Sequence, residues 1–273
     1  MDRPAIITFL SDFGTREHYV GAVKGSILTI HPEARIIDIS HEVEAHDVTE
    51  GAFTLFCSYS CFPPESIHLC VVDPGVGSSR RGLIVQTTDR LFVAPDNGLL
   101  ALVLQAEKID RIVSIEAERY FRHPVSATFH ARDVFGPVAA WVSRGEDLSS
   151  FGPEVSAYEP LALPRIQIRR EGILEGVVLH IDRFGNLITN LRADEARKHF
   201  GEDCRPAAIE VAGTEIARFV ETYSEDAGNG PFALLGSSGF YEIATRNSSS
   251  ARLLKVDRGA RVRLTFAAFR AKD

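Results

Sequence analysis

The sequence predicts an α/β protein of two domains. Residues 1–164 should form a mostly parallel sheet covered by helices, and residues 165–273 a smaller, all-β, barrel-like domain. Three observations predict this. The 273 residues suffice for two ordinary domains, and 45% hydrophobic with 25% charged residues supply a sizeable core. Up to Arg144, continuous apolar runs alternate with stretches of helical spacing, as in sheets buried on both faces. Beyond Pro164 the pattern changes to short alternating strands separated by glycine turns.

Taken in order, AIITFL (5–10) is an apolar strand that breaks into SDFGT, and YVGAVKGSILTIHP (19–32) is a helix stopped by Pro32. ARIIDIS (34–40) is the second strand. VTEGAFTLFCSYSCF (48–62) has helical spacing and ends before Pro63 and Pro64. SIHLCVVD (66–73) is the third strand, and GLIVQTT (82–88) and RLFVAPD (90–96) are two more, joined by a tight turn at Asp89. GLLALVLQAE (98–107) reads as a helix and RIVSIE (111–116) as a strand. DVFGPVAAWVSR (133–144) reads as a further helix whose start Pro137 obscures. In the second domain, residues 175–191, 207–219, 232–244 and 252–266 carry strand patterns, and ADEARKHF (193–200) is a short helix.

A formal net charge of -7 with no basic run argues against nucleic acid as a partner. No apolar run reaches membrane-spanning length, and MDRPAIITFLSDFG carries no cleavable leader pattern, so a cytoplasmic protein without membrane association is expected. Cys57, Cys61, Cys70 and Cys204 do not form the two tight pairs of a zinc quartet and are expected to be buried, reduced thiols. The chain has no GxGxxG after its first strand, no P-loop and no GxSxG.

Chemistry-bearing residues fall at strand ends, where open α/β sheets build their sites. Asp12 follows the first strand, Ser40-His41 the second, Asp73 the third and Asp96-Asn97 the fifth. In VVDPGVGSSRR (71–81), Asp73 stops a buried strand, Pro74 and two glycines turn the chain, and Arg80 returns towards the acid. That pair either braces a loop or holds a carboxylate ionised in one geometry. His130 in TFHARD (128–133) is either a structural imidazole or a proton-transfer or hydrogen-bonding group, with Asp133 as a helix N-cap. Asp96 or Asn97 is expected to cap the next helix. Asp182, Gly185 and Asn186 in IDRFGNLITN (181–190) make either a β-bulge turn or a polar ligand site. Ser237 and Ser238 in LLGSSGFYEIA (234–244) lie in a loop that could offer hydroxyls and N–H groups to a carboxylate.

Together LSDFGTREHYVGAVKG, VVDPGVGSSRRG, APDNGLL, TFHARDVFGPVAA, DRFGNLITN and LLGSSGFYEIA, in that order from about residue 6 to residue 266, resemble one family. It is the S-adenosyl-L-methionine (SAM) hydroxide adenosyltransferases, or SAM hydrolases, relatives of the 5′-fluorinase and 5′-chlorinase. The resemblance implies a Rossmann-like N-terminal domain, a β-barrel-like C-terminal domain and a homotrimer with its sites between subunits. The implied reaction is SAM plus water giving adenosine and L-methionine, with no cofactor and no metal.

By the same resemblance, Asp73, Arg80 and His130 match the set that holds and activates the attacking water. Asp12 matches the acid on the ribose diol, Asp182 the acid near the methionine ammonium, and Asn186 the residue that reads adenine. Ser238, with Ser237 beside it, lies where the methionine carboxylate binds, and Arg246 and Asn247 lie near the adenine side. The chain departs from the pattern at Ala131, usually glycine in the hydrolases and a halide-binding serine in the fluorinase, and at His46, where the fluorinase has an aromatic ring. Three alternatives stand beside the hydrolase: a 5′-halogenase using chloride, a metal-dependent phosphoesterase built from Asp12, Asp73, Asp96 and His130, and a non-catalytic SAM- or adenosine-binding trimer.

Overall fold

The computed structural model describes residues 5–161, 163–169, 172–225, 228 and 230–267. The chain divides into two units, Met1–Ala162 and Leu163–Asp273.

In the first unit, side-chain alternation sends each strand's apolar residues to both faces of one sheet. Its elements are β1 (Ile6–Ser11), α1 (Tyr19–Ile30), β2 (Arg35–Ser40), α2 (Val48–Ser58), β3 (Ile67–Val71), β4 (Gly82–Thr87), β5 (Leu91–Pro95), α3 (Ala101–Ala106), β6 (Ile109–Ser114) and α4 (Gly136–Ser143). The strand order is β2-β1-β3-β5-β4-β6. β1 runs parallel to β2 and β3, and β3 parallel to β5, whereas β4 is antiparallel to both β5 and β6. The sheet is therefore mostly parallel, as expected, with the β4–β5 hairpin supplying the reversed strand.

Ile7, Phe9, Leu69, Val71, Ile84 and Val93 pack with α1 and α4 through Val23, Ile27, Val138 and Ala139. Leu10, Cys70, Val72, Leu83, Val85 and Phe92 pack with α2 and α3 through Leu55 and Val103. Helix α2 sits close to the sheet: a Cβ on Gly51 would come within 2.8 Å of Leu99 and 2.9 Å of Val72. Asp47 caps that helix, accepting from the Glu50 N–H at 2.8 Å. β2 lies at the sheet's edge and is mostly exposed or half-buried, unlike β1 and β3. The chain leaves β1 for β2 on one side and then crosses to β3 on the other, so the carboxyl ends of β1 and β3 form a switch point.

The second unit is antiparallel. It comprises β7 (Gln167–Arg169), β8 (Ile173–Ile181), β9 (Leu187–Arg192), α5 (Ala193–Phe200), β10 (Pro206–Val211), β11 (Thr214–Ile216), β12 (Phe232–Leu235), β13 (Phe240–Ala244), α6 (Ser250–Leu254) and β14 (Arg261–Phe266). The order is β11-β10-β14-β8-β9-β13-β12, with β7 added to β8. The segment after β11 meets the free side of β12: Ala233 donates to the Arg218 carbonyl at 2.8 Å and Val220 to the Ala233 carbonyl at 3.0 Å. This nearly closes a barrel around Leu174, Val178, Leu191, Ile209 and Leu264, with Ala196 and Phe200 of α5 packed against them. The all-β, barrel-like expectation is met.

Candidate active site

Asp73 lies two residues beyond β3, where the buried strand gives way to the Pro74-Gly75 turn. Its carboxylate is 5% exposed and takes a bidentate grip from Arg80: Nε donates to Oδ1 at 2.7 Å, and the second guanidinium nitrogen donates to Oδ2. The same guanidinium nitrogen lies 3.0 Å from His130 Nδ1. A guanidinium has only donors, so Nδ1 must accept and the ring proton of neutral His130 sits on Nε2. Burial, followed by the Arg80 charge, lowers the His130 pKa below its ordinary value, against the opposing pull of Asp73 and Asp133. Phe135 supports Arg80 from below, with the guanidinium carbon 5.1 Å from the ring centroid. The loop's return depends on Gly77, whose φ is +80° and whose Cβ would lie 2.4 Å from the Ala127 carbonyl oxygen.

Asp73, His130, Asp12, Phe13, His46 and Phe129 border one cavity of about 270 Å³. Asp12 Oδ2 accepts the His46 N–H at 2.9 Å, and His46 itself has φ +69°. A non-glycine residue in that region at a cavity wall is a strained position of the sort found at binding sites. Phe13, Tyr19 and Phe129 form an aromatic corner with centroids 5.3–6.0 Å apart. The cavity thus joins an apolar wall to a carboxylate, a guanidinium-held carboxylate and an imidazole N–H.

Three expectations need correction. Asp133 caps no helix. It sits inside a π-helical turn, Ala131–Phe135, fully buried, and ties down the loop before it. Its carboxylate accepts from Arg132 Nε at 2.7 Å, from Arg122 at 3.1 Å and from the Ser126 N–H at 2.9 Å. Although burial opposes ionisation, these donors hold its pKa below the usual carboxylate value. Neither Asp96 nor Asn97 caps α3, which follows Leu100 with no side-chain cap, and Asp96 does not join the cavity residues. Arg81 donates to it at 2.6 Å and the Glu159 N–H at 2.7 Å, so the four-residue cluster of a phosphoesterase is not assembled. Among the described residues, no three His, Cys, Asp or Glu side chains gather as a metal site. The cysteines are free thiols, but the expected burial holds for Cys70 alone; Cys57 and Cys204 are half-buried and Cys61 is exposed.

In the second unit, Asp182 and Asn186 hold each other. Asp182 accepts from the Phe184 and Asn186 N–H groups and from Asn186 Nδ2, each at 2.9 Å. Gly185 of this loop packs against Ser249, where a Cβ would come within 2.0 Å of the hydroxyl, and Ser249 caps α6. Arg246 and Asn247 lie exposed in the turn just before that cap. Ser237 and Ser238 form the tip of the β12–β13 hairpin, Ser237 exposed and Ser238 half-buried. Beneath that tip, Glu242 accepts from the Tyr223 hydroxyl at 3.0 Å. Burial, with the nearby Asp182 charge, raises the Glu242 pKa. The Tyr223–Glu242 pair was not visible in the sequence, because its two members lie on different segments with no shared spacing.

Comparison with known proteins adds to this geometry. Residues 7–152 match the SAM hydroxide adenosyltransferase N-terminal domain, and residues 176–263 match the corresponding C-terminal domain. The chain belongs to the SAM hydroxide adenosyltransferase family. Within the family, it is 38% identical to a protein from Methanocaldococcus jannaschii named (R)-S-adenosyl-L-methionine hydrolase, the match covering 92% of both chains. A Thermus thermophilus protein of the same name is 35% identical, covering 94% of this chain and 98% of the relative. A fluorinase from Actinopolyspora mzabensis is more distant, at 25% identity over 95% of this chain and 97% of the relative. A crystal structure of an uncharacterized conserved protein from Thermotoga maritima superposes with a TM-score of 0.87 at 35% identity, covering 95% of this chain and 99% of that one.

Proposed function

We propose that this SAM hydroxide adenosyltransferase hydrolyses S-adenosyl-L-methionine to adenosine and L-methionine, by in-line attack of a positioned water on C5′. One observation carries the reading: a carboxylate and a neutral imidazole border one nucleoside-sized cavity and are bridged by a single guanidinium. The curated relatives named (R)-S-adenosyl-L-methionine hydrolase support it, and extend it to the R epimer at sulfur as the substrate.

The sulfonium is already a good leaving group, so departure of methionine needs neither a general acid nor a Lewis acid. The weak partner is water. Holding it opposite sulfur supplies part of the barrier reduction, since orientation effects reach roughly 7–11 kcal/mol in favourable cases. In this reading Asp73 accepts a hydrogen bond from the water, and His130 donates to it through Nε2–H. Arg80 occupies Nδ1 and so keeps the imidazole from acting as the base at that atom. A carboxylate gripped by a guanidinium is a weak base. The water therefore attacks as water, and its proton passes to Asp73 as the C–O bond forms and the C–S bond breaks. Asp12 holds the ribose diol, Asn186, Arg246 and Asn247 the adenine side, Asp182 the ammonium, and Ser237 and Ser238 the carboxylate. The carboxylate at the nucleophile's place repels a halide, and Ala131 has no hydroxyl to bind one, which disfavours the halogenase.

The proposed protein is a cytoplasmic, metal-independent homotrimer with sites shared between subunits. The division of labour supports sharing: the cavity is lined only by residues of the first unit, while the methionine-binding set belongs to the second. Incubation with the R and S epimers of SAM in chloride-free, chelated buffer, followed by nucleoside chromatography, tests the reaction. Adenosine and methionine should appear in step and vanish in Asp73→Asn. Intact SAM would leave the binding-protein alternative, and chloride-dependent 5′-chloro-5′-deoxyadenosine would establish the halogenase.

A further inference from the structure

Strand β2 runs into His41, a polar stop that the hydrolytic chemistry leaves unused. His41 is 3% exposed, and Ser11, the last residue of β1, is fully buried. The Ser11 hydroxyl lies 2.8 Å from His41 Nδ1. His41 Nε2 lies 3.0 Å from Asp38 Oδ1, poorly aligned for a hydrogen bond yet facing the carboxylate. Lys24 Nζ donates to the other oxygen of Asp38 at 2.6 Å. The carboxylate beside Nε2 assigns the ring proton to that nitrogen, so Nδ1 accepts from the Ser11 hydroxyl. Ser11 Oγ in turn accepts the Phe13 N–H at 3.4 Å. The His41 carbonyl closes the same turn by accepting the Gly14 N–H at 2.7 Å.

The donors of Phe13, Ser11 and His41 all point from the turn after β1 towards the half-exposed Asp38, and Lys24 meets the same carboxylate from the other side. The Ser–His–Asp order is that of a nucleophilic triad, but a fully buried hydroxyl cannot meet a substrate. None of the four residues lines the cavity. The turn they hold carries Asp12 and Phe13, both of which do. A carboxylate grips a vicinal diol only at a fixed angle, so its backbone must be held from behind.

We infer that Ser11, His41, Asp38 and Lys24 are positioning residues: a buried relay that sets Asp12 and Phe13 against the nucleoside half of the substrate. The inference rests on the hydrolase reading. The sheet supplies its own control. His68 is also fully buried, with Nδ1 2.8 Å from the Thr8 hydroxyl of β1, but it is remote in register from the Asp12 turn.

The experiment compares His41→Asn, Ser11→Ala and His68→Asn in the full-length protein. It measures kcat and KM for SAM, adenosine affinity by calorimetry, amide exchange at Phe13 and Gly14, and the melting temperature. His41→Asn and Ser11→Ala should raise KM and the adenosine Kd about tenfold with kcat within about twofold, and should speed exchange at both amides. His68→Asn should lower the melting temperature and leave KM and Kd unchanged. Equal losses of affinity in His68→Asn, or unchanged affinity in both relay variants, overturn the relay. A wild type that binds adenosine but leaves SAM intact refutes the hydrolase reading while adenosine affinity still decides the relay. A wild type that does neither overturns both.

Discussion

Arg80 touches both of its partners with one planar group, which a lysine cannot reproduce. Hydrogen bonds to charged groups contribute about 1.5–3 kcal/mol each, so Arg80→Lys should lower kcat by about ten- to a hundredfold. KM should move less, because in the proposed mechanism the lost contacts orient the nucleophile rather than the nucleoside; steady-state kinetics checks both. The His130 shift has a further consequence. A neutral imidazole with a lowered pKa keeps Nδ1 as the acceptor for Arg80 as the medium is acidified past the ordinary value of 6.5, whereas protonation turns that nitrogen into a second donor facing the guanidinium. The acid limb of the kcat/KM profile should therefore begin below pH 6.5, and a limb from His130 centred at or above that value would refute the lowered pKa. The spacing from Asp73 to Arg80 was legible in the sequence because turn and return are local. That His130 joins them was legible only through the family resemblance, since fifty residues separate it from Arg80.

Among the elements, the π-helical turn Ala131–Phe135 matters most, because it presents His130 and Ala131 to the cavity. Its anchor is the buried Asp133. The arginines it holds are partly exposed, so its removal forfeits charge-assisted hydrogen bonds rather than stranding a buried charge, and Asp133→Ala should lose about 1.5–3 kcal/mol in urea unfolding and lose activity with it. Asp133 was misread as a cap because an acid ahead of an apolar helix carries the same local signature in both roles. The deciding partners, Arg122 and the Ser126 N–H, are invisible to that pattern. Likewise the extra residue of a π turn leaves no mark on hydrophobic spacing, so the expected helix start at 133 gave way to α4 at Gly136, with Pro137 in its first turn, where a missing N–H costs nothing. The β4–β5 hairpin, by contrast, followed from its short turn at Asp89.

For the whole molecule, the switch from α/β alternation to short strands was plain in the sequence. The near-closure of the second sheet was not, since it depends on the segment around Phe219 reaching β12. Burial, then the Arg90 charge, pushes His68 down to about 3. The unfolded chain binds a proton at that site near 6.5 and the folded protein does not. Stability should therefore fall as pH drops from 6.5 towards 3, by about 1.4 kcal/mol per unit at most from this group. Urea titrations across that window should have a shallower slope in His68→Asn. With the proposed sharing of sites between subunits, inactive Asp73→Asn protein mixed with inactive Asp182→Asn protein should regain activity after subunit exchange, whereas unshared sites would give none.

The edge strand β2, exposed at half of its residues, has a colloidal consequence. A flat edge with open N–H and C=O groups invites strand addition from another molecule. Here Ile37 is 40% exposed, and charge is placed around it: Arg35 at the start of the strand and Asp38, paired with Lys24, beyond it. Such charges make a second strand's approach costly at that edge. Arg35→Val would remove one of these guards without touching the cavity, and light scattering at high protein concentration should rise while the activity of freshly prepared protein stays the same.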